Sequence, residues 1–340
     1  MSEQAARVGF DRATVETALA VAVRAPSIHN TQPWRWRLDA DGLTLLADRS
    51  RQLQVADPDG HSLLISCGAA LTLTELGLRA QGWRLETVRL PDSGDEDVLA
   101  RIRPTGRAEP DADVESDAEA ALLRRSDRRP FAAGQLPAEL IEELRAASSD
   151  GHARIDFPDR DDQRIDLAVA VSWADRVERD DEAYRAEMNK WVRDPDVHAT
   201  SDGVPLEAVP RVDPEHPRHT DVPLRDFEVG MTGRQLIEQD VDERPLIAVV
   251  FTDSDSVADH LYSGEAMMRL MLRAQRDGLA TCPLSQAVDF AAFRTRVSGL
   301  MGWVGYPQMM LRIGYPSRPA DELVRTPRRA VGDVLEGGTD

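Results

Sequence analysis

Two stretches of this chain repeat one glycine spacing. Gly68-Ala69-Ala70 is followed by Gly82, and Gly264-Glu265-Ala266 by Gly278, at the same interval. Between the glycines both stretches read as buried helix, with Leu71, Leu76 and Leu78 in one and Met267, Leu270 and Met271 in the other. Small residues at the start suit a helix packed closely against a neighbour, and a closing Gly suits a C-terminal cap. Two unrelated buried helices can share this much by chance, so a second parallel matters. Helix, polar loop and strand follow one another as Val15–Val23, Pro26–Trp34 and Trp34–Leu38. The same order recurs as Pro137–Ala146, Ala147–His152 and Ala153–Phe157. The chain therefore reads as two related halves, about 1–115 and 116–340.

The join, Pro91 to Glu119, has the Asp, Glu, Gly and Pro content of a linker around a possible edge strand at Val98–Arg103. The second half carries an insertion, Trp191 to Gln239, with six prolines and little periodicity. A loop that long inside a compact domain is a lid, a binding loop or disordered. Trp191, Phe227, Met231 and Leu236 are its candidate anchors, and a packed lid is the preferred reading.

A net charge of −19 over 340 residues argues against a nucleic-acid or anionic-membrane partner, since both need an excess of basic residues. No apolar run approaches membrane-spanning length, no signal peptide is recognisable, and two cysteines suit a reducing compartment. A cytoplasmic location is expected. Lys190 is the one lysine, so any anion would be held by arginine forks.

Four segments carry polar chemistry. Pro26-Ser27-Ile28-His29-Asn30-Thr31-Gln32-Pro33-Trp34 sets five hydrogen-bonding side chains between two prolines. Such a loop can hold side chains rigidly against a ligand, or can be a turn that satisfies its own backbone. Arg124-Arg125-Ser126-Asp127-Arg128-Arg129-Pro130-Phe131 is a basic cluster in an acidic chain. It is either a phosphate grip near a helix end or a solvated face. Cys282-Pro283-Leu284-Ser285-Gln286 follows the second duplicated helix, and Arg325-Thr326-Pro327-Arg328-Arg329 follows a strand at Gln308–Pro316. Cys282 reads as a small buried hydrophobe and His29 as structural. His216 and His219 are weak metal candidates, their prolines preventing a helical pair.

The wording Pro-Ser-x-x-Asn-x-Gln-Pro-Trp, together with Arg-Arg-Ser-x-Arg, resembles the FMN-dependent nitroreductase family. The fused halves and Ile65-Ser-Cys-Gly-Ala-Ala-Leu71 look like its Acg-type branch, known from dormancy responses. The resemblance implies an α+β, nitroreductase-like FMN-binding fold. Its halves would mimic the family's homodimer, as a monomer, with a lid inserted in the second half. It implies flavin contacts for Pro26, Ser27 and Asn30 from one half. From the other half it implies them for Arg124, Arg125, Ser126, Pro283, Leu284, Ser285, Gln286, Arg328 and Arg329. The spacing after Ser126 departs from the family and leaves Arg128 and Arg129 without an assigned role. The implied function moves electrons from NAD(P)H through FMN to a small acceptor. The alternative is FMN storage beneath a closed lid. One complete site and one vestigial reciprocal are expected, because residues 1–14 hold no Arg-Arg-Ser and Ser148–His152 lack the loop motif.

Overall fold

The described residues mix helices and strands. In this computed structural model the residues described are 9–92, 94–193, 201–208, 210–211, 235–236, 243–302, 304–319 and 322–337. The first half contributes α1 (Arg12–Ala22), β1 (Trp34–Asp39), β2 (Gly42–Ala47), α2 (His61–Arg79), β3 (Trp83–Arg89) and β4 (Val98–Arg107). Then come α3 (Ala112–Leu123), α4 (Ala138–Ser148), β5 (Ala153–Asp156), α5 (Asp161–Asp180) and α6 (Glu182–Trp191). Two short parallel pairs follow, β6 (Val192–Arg193) with β7 (Val204–Pro205) and β8 (Pro210–Arg211) with β9 (Gln235–Leu236). The chain closes with β10 (Leu246–Thr252), α7 (Val257–Arg276), β11 (Ala280–Leu284), α8 (Ala291–Met301), β12 (Tyr306–Gly314) and β13 (Leu335–Gly337).

Two sheets share one strand order. The first runs β1-β2-β4-β3 and the second β5-β10-β12-β11, all neighbours antiparallel. In each, the long helix (α2 or α7) falls between the second and third strands along the chain. The first sheet gains β13, which lies parallel to β1 with Trp36 opposite Leu335. A strand from the far end of the sequence thus completes the sheet of the first half.

The two long helices meet at their glycines. A Cβ on Gly68 would stand 2.1 Å from the Leu261 carbonyl oxygen, and one on Gly264 would stand 2.0 Å from that of Ile65. Leu261 precedes Gly264 by as many residues as Ile65 precedes Gly68, so the contact is self-complementary. Only hydrogen at these α-carbons allows so close a backbone approach. One apolar core then runs from Trp36 and Leu45 of the first sheet, through Leu71 and Met271, to Ile155 and Leu311 of the second.

Two sequence expectations change here. β4 is interior, lying between β2 and β3, rather than an edge strand. Val98, Leu99, Ala100 and Ile102 are buried, and Pro104, which cannot donate to a ladder, sits beside the register shift at Arg84/Leu85. The expected linker also contains the start of α3, where the Asp111 side chain accepts from the Val114 N–H. Second, α2 is long and apolar enough to cross a bilayer, with mean hydropathy 1.3, although 94% of that window is buried inside the protein. Its hydrophobicity reflects the core on all its sides.

A buried polar cluster sits at the start of α2. His61 Nε2 lies 2.8 Å from Gln308 Oε1, and its ring meets that of His260 edge-on with centroids 4.7 Å apart. His260 pairs with Asp255, which also accepts from Arg294 and Gln308. Burial, then the Arg294 charge and His260, hold His61 well below its ordinary range. An unfolded His61 gains a proton near pH 6.5 while the native one does not, so stability falls as pH drops below that value. Between pH 7.5 and 5.5 this site is expected to remove about 1.4 kcal/mol. Urea midpoints of the wild type and His61→Gln at both pH values test it, and equal losses in the two proteins would refute it.

Candidate functional site

The Pro26–Trp34 loop is strained and cross-braced. His29, Asn30 and Gln32 have φ of +44°, +57° and +51°. Left-handed backbone costs a non-glycine residue about 1–3 kcal/mol, and it persists where surrounding contacts over-determine it. Those contacts are present. Ser27 Oγ accepts from the Gln32 N–H at 2.9 Å. Asn30 Nδ2 donates to the carbonyls of Gly203 (2.9 Å) and Pro327 (3.0 Å), and its Oδ1 accepts from Arg328 at 3.0 Å. Gln32 Nε2 donates to Ser201 O at 2.8 Å and its Oε1 accepts from the Arg329 N–H at 2.8 Å. The loop therefore ties together the insertion and the C-terminal segment. A turn serving only its own backbone would show none of these long-range bonds.

The basic segment follows α3. Arg125 Nη1 donates to the carbonyls of Leu122, Leu123 and Arg124, closing the C-terminus of α3, where a cation is favoured. Ser126 bridges Thr281 in parallel, and the Asp127 N–H donates to Thr281 O at 2.9 Å. Phe131 bridges Pro316, its N–H donates to buried Glu243, and Glu243 pairs with Arg312 inside the core. These ties strap the segment across β11 and the end of β12. It lies at the end of a helix but is itself irregular.

Contrary to the expected turn, Pro283 and Leu284 are the last residues of β11, paired with Leu311 and Met310 of β12, and Ser285 and Gln286 follow the strand; all four lie near the first turns of α2. Asp57 fixes that helix end by accepting from the Ser62 and Leu63 N–H groups at 2.9 and 2.8 Å, and burial pushes its carboxyl up to about 7. Asp289 accepts from the hydroxyls of Ser62 and Ser285, each at 3.2 Å. Gln286 is 1% exposed and its Nε2 has no partner among the described residues.

These parts surround one cavity. Pro26, Ser27 and Asn30 line it from one side; Arg124, Arg125, Ser126, Pro283, Leu284, Ser285, Gln286 and Arg328 line it from the other. Arg329 does not. Its guanidinium turns to the Gln32, Trp34 and Asp333 carbonyls and to Asp48, clamping the loop from outside. Arg128 lines it, whereas Arg129 is spent on buried Asp127. The cavity also takes Arg325 and Thr326 of the C-terminal basic segment, together with Arg24, Ser62, Ser66, Met267, Met309, Leu323 and Val324, which the sequence had not offered as site residues. Arg24 stood beside the loop motif and was the one with a usable signal.

The charge of the cavity is one-sided. Six arginines line it (24, 124, 125, 128, 325 and 328), and among the described residues no carboxylate does. Arg124 is 4% exposed; its Nη2 donates to Arg24 O at 2.9 Å while Nε and Nη1 find no partner among the described residues. Burial, then the charges of Arg328, Arg125 and Arg24, push Arg124 down to about 9. Burial, then Arg125 and Arg24, push Arg328 down to about 10. Both remain cationic at neutral pH. Buried N–H forks without a counter-charge fit a phosphate monoester, which accepts several charge-assisted bonds at once. Metal chemistry has no comparable footing: among the described residues no group of three His, Cys, Asp or Glu could hold an ion. His216 and His219 lie outside the described residues.

The insertion covers part of this cavity. Val204 and Ala208 line it. Asp202 pairs with Arg51 and Arg193, and Trp191 packs on the Leu53, Ala56, Tyr184 and Met188 cluster. Glu187 of α6 accepts from the Gln54, Val55 and Ala56 N–H groups. Phe227 and Met231 lie outside the described residues.

No protein-family model matches the chain. Among curated relatives, "Putative NAD(P)H nitroreductase Rv3131" of Mycobacterium tuberculosis is 36% identical over 327 residues, covering 96% of this chain and 92% of its own. "Putative NAD(P)H nitroreductase acg" of the same organism is 32% identical over 323 residues, covering 94% and 95%. The solved "FMN and NADPH-dependent nitroreductase NfnB" of a Sphigopyxis strain superposes loosely, with a TM-score of 0.40 and 16% identity over 66% of this chain and 99% of that one.

Proposed function

The chain belongs to the NAD(P)H nitroreductase family, and on that footing we propose that it is an FMN flavoprotein that passes electrons from a nicotinamide donor to a small acceptor. The observation that carries the reading is a cavity lined by arginines and, among the described residues, by no carboxylate, in which buried Arg124 and half-buried Arg328 find no counter-charge among those residues. Those two, with Ser126, would hold the phosphate. Ser285 lies four residues beyond Thr281, the partner of Ser126, hence about 13 Å along the strand at ~3.3 Å per residue. That spacing supports the reading that the Pro283–Gln286 segment would meet a ring system at the far end of a phosphate-bearing chain. FMN, when bound, supplies hydride acceptance and release. The protein's residues bind and orient it, and the Ser201–Ala208 stretch excludes water from one side.

We read the chain as a single-chain counterpart of a homodimer, with one complete site. The repeated strand order and the self-complementary Gly68/Gly264 contact support this. So does the place where a second site would fall. The offset of 196 residues that relates Gly68 to Gly264 and Gly82 to Gly278 carries Ser66 to Tyr262 and Ser285 to Arg89. Arg89 bonds Glu265 at 2.6 and 2.7 Å and lies over the Tyr262 ring, which stacks on His152 at 3.9 Å. These contacts support the reading that side chains occupy the position a second flavin would need.

Purified protein is expected to be yellow, to release close to one FMN per chain on denaturation, and to bleach with NADPH or NADH before turning over a nitroaromatic. Two flavins per chain would overturn the single-site reading, and colourless protein that binds no added FMN would overturn the whole. A second reading, FMN storage, draws on the ties that hold Ser201–Ala208 across the cavity through Asn30 and Gln32. Yellow protein that resists both nicotinamides would favour it.

A further inference from the structure

One end of the cavity has a hydrogen-bonding polarity opposite to the other. The arginine end is dominated by guanidinium donors. At the other end, the hydroxyls of Ser62 on α2 and Ser285 after β11 both donate to one carboxylate, Asp289, which is 4% exposed. A serine hydroxyl has a single hydrogen and two lone pairs, and a carboxylate can only accept. With that hydrogen directed to Asp289, what each serine can turn to a ligand is an acceptor. Beside them the buried Gln286 Nε2, without a partner among the described residues, is a donor in the same wall.

We propose that Asp289 is a positioning residue: by taking the hydroxyl hydrogens of Ser62 and Ser285 it makes this end of the cavity select a ligand that presents a ring N–H beside a carbonyl. The imide edge of a flavin has that pattern, its N3–H flanked by two carbonyls, and its phosphate would lie at the arginine end. The inference rests on the FMN reading above and adds the direction in which the ring lies and the group that enforces it. It also separates this wall from a merely polar one. A wall of free hydroxyls would rotate to suit donor or acceptor alike, whereas one fixed by a buried carboxylate discriminates.

The test titrates the flavin-stripped full chain with FMN and with N3-methyl-FMN, following flavin fluorescence. Wild type is expected to bind FMN roughly 10–100-fold more tightly, since methylation leaves buried acceptors unpaired. Bulk also penalises the methyl group, so the decisive readout is how that ratio changes. In Asp289→Asn the amide can donate to one serine and turn its hydrogen toward the ligand, and the ratio is expected to contract at least fivefold. The pair Ser62→Ala with Ser285→Ala, which removes the acceptors outright, should contract it too and stands in if Asp289→Asn does not fold. Equal binding of the two flavins by wild type, or an unchanged ratio in the variants, would overturn the proposal while leaving the FMN site intact. Wild type that binds neither flavin overturns both.

Discussion

Replacing Arg124 by leucine is expected to give a protein that is at least as stable as the wild type without flavin and that no longer retains FMN. The two effects share one cause. Arg124 is buried, with two guanidinium nitrogens unpartnered among the described residues and three like charges near it, a costly arrangement in the absence of an anion. Leucine removes that cost and matches the apolar part of the site, so flavin-free stability should hold or rise by up to about 4 kcal/mol. A phosphate loses two charge-assisted bonds made in a dry setting, worth about 1.5–3 kcal/mol each, so the FMN dissociation constant should rise by roughly 100-fold or more. Fluorescence titration and thermal melts of stripped protein read the two halves separately. A variant that stays yellow through gel filtration, or that melts well below the stripped wild type, would mean that Arg124 is structural.

Local features of the site were legible in the sequence because they depend on short-range geometry. The Pro26–Trp34 loop, the Arg124–Phe131 cluster and the Pro283–Gln286 segment each announce themselves within a dozen residues. Their convergence on one cavity is what the structure adds. Ser62 and Ser66 escaped notice because they lie in a helix buried on all sides, where hydroxyls at helical spacing look like core filler. Arg329 was misread for the reverse reason. A run of basic residues does not disclose which member turns inward, and Asp48, distant in sequence, settles it. The left-handed backbone at His29, Asn30 and Gln32 could not be read at all, because nothing in those residue types demands it. It is imposed by bonds to Gly203, Pro327 and Arg329. In the same way β4 looked like an edge strand because the alternating Val98–Arg103 piece lies within a stretch of linker composition, while its burial is decided by β2 and β3 on either side.

The largest loss of stability is expected at the crossing of α2 and α7. In an ordinary exposed helix Gly→Ala stabilises by about 0.5–1 kcal/mol, and Gly299 in α8, with nothing within 4 Å of its missing Cβ, should behave so. At Gly68 and Gly264 the sign reverses. The new methyl group would stand about 2 Å from a carbonyl oxygen of the opposite helix, and backbone cannot rotate aside as a side chain can. The two helices must separate, opening the best-packed part of the core, at a cost of at least ~3 kcal/mol for either substitution. The contact is reciprocal, so once one alanine has forced the helices apart the second meets little further resistance. The double variant is therefore expected to lose markedly less than the sum of the two, a coupling of 1 kcal/mol or more. The effect extends to binding, because α2 supplies Ser62, Ile65 and Ser66 to the cavity and α7 supplies Met267. Separation of the helices moves those walls apart, and FMN affinity should fall even though neither glycine lines the site. Urea melts of the three variants and of Gly299→Ala, with FMN titrations alongside, decide the matter. Additive losses at the two glycines would mean that they act at independent places, and the self-complementary joint between the halves would have to be abandoned.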